Sequence, residues 1–181
     1  PDAEALPASP VPFGARRGIL FVGNFRHRPN VEALGHLCRA VLPRLDPALL
    51  AAHPVSVVGN GLTGSIAEQC GARARGVELV GWVPSLLPYL QRARVSVIPL
   101  LHGAGTKRKL VQALLAGTPS VSTSIGVEGL GLRDGEDVLV ADEPEAFAAA
   151  IARLASDETL WRGLATRGRE TALAAHGRDA V

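Results

Sequence analysis

Methionine is absent from the 181 residues, tyrosine occurs once and tryptophan twice, and aromatic residues make up only 4% of the chain. A basic stripe interleaved with aromatics is absent, and a net charge of +2 is too small to imply a phosphate-tracking surface. A nucleic-acid partner is therefore not expected, despite a pI near 9.0. The two cysteines, Cys38 and Cys70, lack CxxC spacing, and His27, His36, His53, His102 and His176 form no HExxH pair. No metal site is expected, and the cysteines are read as small buried groups. No apolar run approaches the ~20 residues of a membrane span. With no signal peptide read at the opening, a cytoplasmic location is expected. G-x-S-x-G, Walker A and a first-strand GxGxxG are also missing, which removes most support for a serine hydrolase, a P-loop NTPase or a dinucleotide dehydrogenase. Lysine is scarce as well. Of nineteen basic residues only Lys107 and Lys109 are lysines, and both fall in "GAGTKRKL".

What is present is a series of short, β-branched runs: 18–23, 54–59, 77–81, 94–100, 119–123 and 137–141. Near-continuous apolar runs mark strands buried on both faces. Between them lie helical patterns, expected to start at Asn30 (stopped by Pro43), at the Ser65/Glu68 capping box, near Ser85 and at Thr106. Two alanine-rich helices, opened by Asp142–Pro144 and by Asp157, follow. The alternation predicts an α/β fold, a doubly wound parallel sheet flanked by helices with helices at the C-terminal end. Residues 18–181 are expected to form one domain. Residues 1–17 read as a linker, and this lead together with the missing methionine predicts a piece of a longer protein.

In such a sheet ligands bind at the carboxyl ends of the strands. The loops selected by that rule are "VGNFRHRPN", "VGWVP", "PLLHGAGTKRK" and "STSIGVEGLG". The third poses a problem in electrostatics. Three basic residues open a helix whose N-terminus already carries roughly half a positive charge. A bound phosphate or diphosphate, held by exposed N–H groups at Gly103, Ala104, Gly105 and Thr106 beside Lys107 and Lys109, would supply the missing negative charge. The competing reading is a tight turn followed by a solvated basic surface. Arg26, with His27 and Arg28, is either ligand-facing or an exposed loop. His102 is a ligand donor or a structural histidine, Glu128 bonds loop backbone or a sugar hydroxyl, and Trp82 walls a base pocket or joins the core.

The segments "FVGNFRHRPNVEAL", "VELVGWVPSLLPYLQRARVSVIPLLHGAGTKRKLVQALLAGTPSVSTSIGVEGL" and "DVLVADEPEAFAAAIARL" resemble the C-terminal, nucleotide-sugar-binding half of GT-B-fold retaining glycosyltransferases, the glycosyl transferases group 1 family. The resemblance spans about residues 18–175. It implies a nucleotide diphosphate sugar donor and no metal or cofactor in this domain. The base would lie near Trp82 and Val83, and the diphosphate between Gly23 with Asn24 and the turn at Gly105 to Lys109. Lys107 or Lys109 would compensate the leaving group in the transition state. It also implies an N-terminal acceptor-binding domain as partner, so the fragment alone is expected to be inactive. Two departures stand out. The family's paired glutamates on this loop and helix are replaced by Ala104 and Gln112, and its basic pair after the first strand by Asn24 and Pro29 or Asn30. A degenerate, noncatalytic interaction module and a nucleotide-sugar epimerase of the same fold are the alternatives.

Overall fold

The computed structural model describes residues 10–103 and 107–176. Within them the β-branched runs become six strands: β1 Ile19–Val22, β2 Val55–Val58, β3 Glu78–Gly81, β4 Val95–Ile98, β5 Ser120–Ser122 and β6 Leu139–Val140. All pairings are parallel, in the order β3-β2-β1-β4-β5-β6. Ile19 stands between Val55 and Val95, so β1 lies at the centre. The order reverses between β1 and β4, which makes that gap the topological switch point.

The helices are α1 Arg28–His36, α2 Pro47–Ala52, α3 Gly64–Gln69, α4 Leu87–Arg92, α5 Arg108–Leu115, α6 Ser124–Val127, α7 Pro144–Ser156 and α8 Glu158–His176. Strand periodicity sends Ile19 and Phe21 to one face of the sheet and Leu20 to the other, and both faces are covered. The larger core joins β1 to Leu34 of α1, Ile151 and Leu154 of α7 and Leu164 of α8. The smaller one gathers Leu20, Val58, Leu90, Ala93, Ala113 and Ala116. Helix α5 serves both, through Leu110 and Leu114 on one side and Ala113 on the other.

Several helix boundaries differ from expectation. Helix α1 starts two residues before Asn30, with His27 as N-cap and Pro29 in the first turn, where its missing N–H costs nothing. It does not stop at Pro43 but continues through a π-helical turn, Leu37–Val41, into a 3₁₀ turn, Leu42–Arg44. Thr63, not Ser65, caps α3, its hydroxyl accepting the N–H of Ile66 at 3.2 Å. Glu143 precedes α7, while the Asp142 carboxylate accepts from the N–H and hydroxyl of Ser124. Helix α2, capped by Asp46 and opened by Pro47, has no counterpart in the expected elements. Cys38 and Cys70 are both buried, and burial pushes the Cys38 thiol up to about 12.

The expected linker, 1–17, ends in packed structure. Phe13–Ala15 forms a 3₁₀ turn, and Phe13 meets Trp161 edge-on at 5.7 Å. Arg16 is 1% exposed. Its guanidinium donates to the carbonyls of Val11 (2.7 Å), Leu90 (3.0 Å), Ala93 (3.2 Å) and Ala116 (3.1 Å) and to Thr118 Oγ1 (2.8 Å). Three of those carbonyls end α4 and α5, so the cation satisfies orphan acceptors at two negative dipole ends. Burial pulls its pKa down to about 10. Arg94 does likewise at the end of α7, donating to Ala155 (2.6 Å), with its guanidinium 3.5 Å from the Phe13 ring centroid. Replacing Arg16 with Ala strands several buried acceptors and is expected to lower stability by roughly 3 kcal/mol or more in urea denaturation. Arg16→Lys, with a single nitrogen at its tip, is expected to recover only part of that loss.

Candidate functional site

The C-terminal ends of β1 and β4 open toward the first turns of α1 and α5. Gly23 leaves β1 with its N–H on the Val58 carbonyl (3.0 Å), and Gly59 leaves β2 with its N–H on that of Gly81 (2.7 Å). The two glycine turns touch. A Cβ on Gly59, at φ +148°, would stand 1.6 Å from the Gly23 oxygen, so the contact admits only glycine. The side-chain oxygen of Asn24 accepts the Arg26 N–H (3.1 Å), folding the loop so that Asn24 and Arg26 are both exposed.

The β4–α5 segment approaches from the other side. Gly103, at φ +119°, lies against Pro29 at the start of α1. Ala104, Gly105 and Thr106, including the expected cap, lie outside the described residues, and α5 takes Lys107 as its N-cap with no side-chain cap bond. The Lys107 side chain is only 9% exposed, with its ammonium 3.8 Å from the exposed Glu128 carboxylate. Lys109 turns inward. Its ammonium lies 5.8 Å from the Phe21 ring centroid and donates to Asn30 Oδ1. Among the described residues no carboxylate pairs with it. Burial pulls its pKa down to about 8. A desolvated cation without a counter-ion, next to the free N–H groups of a helix start, is the electrostatic requirement for an anion site.

Nε2 of His102 lies against one carboxylate oxygen of Glu32 of α1, whose other oxygen accepts from Arg28 at 2.7 Å. The Arg28 bond, with a further contribution from His102, holds the Glu32 carboxyl below its ordinary range. Trp82 is 69% exposed beyond β3 and does not join the core, whereas Val83 packs on the smaller cluster. Gln112 lies exposed one turn along α5. The structure thus brings Gly23, Gly103, Lys109 and His102 to the α1 side of the switch point, with Lys107 facing Glu128 at the C-terminal end of α6. Sequence reasoning missed Glu32 and Gly59, and it read Asn30 as a helix cap and as a replacement for one of the family's basic pair, not as the partner of Lys109. Pro29 was the available signal for Asn30, since proline belongs in a first turn and pushes the cap upstream.

An α/β sheet of Rossmann order with a basic switch point is a nucleotide-binding class of fold. Residues 16–157 match the model of the family described as glycosyl transferases group 1, and the chain belongs to that family. It is 32% identical over 118 residues to the lipopolysaccharide core biosynthesis glycosyltransferase LpsE of Rhizobium meliloti, covering 64% of this chain and 34% of that protein. It is also 40% identical over 143 residues to an uncharacterized 44.6 kDa protein in the cps region of Klebsiella pneumoniae, covering 74% and 36%. The chain thus spans about a third of the length of these curated relatives. Among solved structures, the C-terminal domain of the group 1 protein LpcC from Francisella tularensis superposes with a TM-score of 0.70 at 12% identity, covering 93% of this chain and 94% of that one. TarM superposes at 0.73 with 16% identity, over 96% and 34%. The fold is that of GT-B glycosyltransferases.

Two outcomes follow from this geometry. Gly59→Ala is expected to cost at least ~2 kcal/mol in a urea titration, because backbone must move to clear the Gly23 oxygen. Lys109 lies below its ordinary value of 10.5 in the folded chain, so between about pH 8 and 10.5 the unfolded state binds more protons and stability rises with pH. Lys109→Met is therefore expected to be more stable than the parent at pH 7. Denaturation across that range should show the gap closing as the parent lysine loses its proton.

Proposed function

We propose that this chain is the donor-binding part of a glycosyltransferase that moves a sugar from a nucleotide diphosphate sugar to a saccharide, lipid or protein acceptor with retention. The observation that carries the reading is Lys109, a desolvated ammonium with a neutral partner at the switch point. The comparisons support it: HepE of Anabaena has been solved with UDP-glucose, and a TarM variant with UDP. In this reading the diphosphate lies between the turn at Gly23 and Asn24 and the start of α5, met by Lys107, Lys109 and the backbone at Gly103. Trp82 and Val83 flank the base, Gln112 reaches the ribose hydroxyls, and Arg26 and His102 face the donor from opposite loops. As the glycosidic bond breaks, negative charge grows on the diphosphate oxygens. The two lysines stabilise it most in the transition state, because the site is already desolvated around them.

The donor needs no metal or cofactor from this chain. The acceptor is bound by an N-terminal domain of the same protein, and these 181 residues alone bind nucleotide without transferring sugar. Lipopolysaccharide or polysaccharide assembly is the setting we propose, in line with the lipopolysaccharide core biosynthesis in the Rhizobium relative's name, and a bacterial cytoplasm is the location proposed with it. Ala104 and Gln112, in place of acidic residues, favour one competing reading, a noncatalytic interaction module.

Calorimetric titration with UDP, GDP, ADP and dTDP separates the two. Saturable binding of one nucleotide, weakened at least tenfold in Lys107→Ala/Lys109→Ala, is expected. Retained affinity in the double variant would overturn the assignment of the lysines, and no binding of any nucleotide would favour the noncatalytic module.

A further inference from the structure

Among the described residues, three contacts cross the switch point from the start of α1 to the β4–α5 segment and α5: Pro29 against Gly103, Glu32 with His102, and Asn30 with Lys109. The third uses both ends of one amide. Asn30 Nδ2 donates to the Asn24 carbonyl at 2.8 Å, and its Oδ1 accepts from the Lys109 ammonium. Turning the amide over would set two donors against each other at Lys109 and two acceptors at Asn24, so the pair of bonds defines its orientation. One side chain therefore joins the β1–α1 loop, α1 and α5.

We infer that Asn30 is a positioning residue of the proposed donor site, holding the Lys109 ammonium beside the Gly23–Asn24 turn so that the diphosphate meets a cation delivered from α5. The inference rests on the donor-binding reading above. Chemistry explains why the acceptor is an amide. A lysine is a flexible point charge that needs an acceptor to fix it. A carboxylate at position 30 would fix it equally well but neutralise it, whereas the Asn carbonyl orients the ammonium and leaves its full charge for the ligand. Among the described residues, Phe21 from β1 and Asn30 from α1 are the groups recorded against the ammonium, and neither is charged.

The chain has only two lysines, so ¹³C-lysine labelling yields two Cε resonances, one for each. The experiment follows their pH titration in the 181-residue chain, together with calorimetric binding of UDP and inorganic pyrophosphate. The parent, Asn30→Ala, Asn30→Asp, Lys109→Ala and Asn30→Ala/Lys109→Ala are compared, and folding of each variant is read from the same spectra. Asn30→Ala is expected to weaken binding about tenfold and to move the titration of one lysine only. Asn30→Asp is expected to raise that lysine's midpoint and also weaken binding, since the acceptor is kept and the charge is lost. The double variant should bind no worse than Lys109→Ala, because Asn30 acts through the lysine. Parent-like binding by Asn30→Ala while Lys109→Ala loses it, or additive losses in the double variant, would overturn the positioning role and leave the donor site standing. Parent-like binding by Lys109→Ala, or no binding of either ligand by the parent, would overturn the donor reading and this inference with it.

Discussion

The buried guanidinium of Arg16 is the contact around which the sheet's lower edge is organised. In a parallel sheet with helical crossovers, helices run against the strands, so carbonyl ends collect at one edge and N–H ends at the other. The carbonyl ends of α4 and α5 cannot be left unpaired where they are buried. Arg16 satisfies both, and Arg94 does the same for α7. No carboxylate is needed for either. The negative helix ends act as the counter-charge, and the aromatic faces of Trp161 and Phe13 cover the planar groups at 5.2 and 3.5 Å. The chain segment before β1 is thereby pinned beneath the sheet.

The opposite edge obeys the reverse logic. There the positive ends of α1 and α5 meet a cluster of cations, and Lys109 is desolvated with no ion-pair partner among the described residues. Nothing about folding calls for such an arrangement, which lowers stability at neutral pH. Natural proteins keep local conflicts of this kind where a ligand resolves them. The Glu32–His102 and Asn30–Lys109 contacts hold the conflict in place by tying the β4–α5 segment to a helix that is itself anchored in the larger core by Ala33 and Leu34.

Much of the architecture was legible in advance. Six β-branched runs became six strands, because short runs bounded by glycine and proline suit strands better than helices; the edge strand β3, with no buried residue, was read from its run and not from burial on both faces. The loops at the strand ends followed from the parallel sheet. Less legible were the caps. Thr63 and Ser65 are both competent caps two residues apart, and local chemistry does not choose between them. The packing of Phe13 and Arg16 was hidden for another reason. A proline- and alanine-rich lead looks like linker unless its partners, 74 to 102 residues away for the Arg16 bonds to Leu90 and Thr118 and farther still for Phe13 on Trp161, are known.

The sequence by itself determined the fold class, the family and the loops that carry the candidate site, since periodicity, glycine placement and motif order are local properties of a chain. Tertiary structure alone decided which residues meet across those loops. The Asn30–Lys109 bond spans 79 positions. It exists because β1 and β4 are neighbours at the point where the sheet reverses, a juxtaposition created by long-range strand pairing and written in no local pattern.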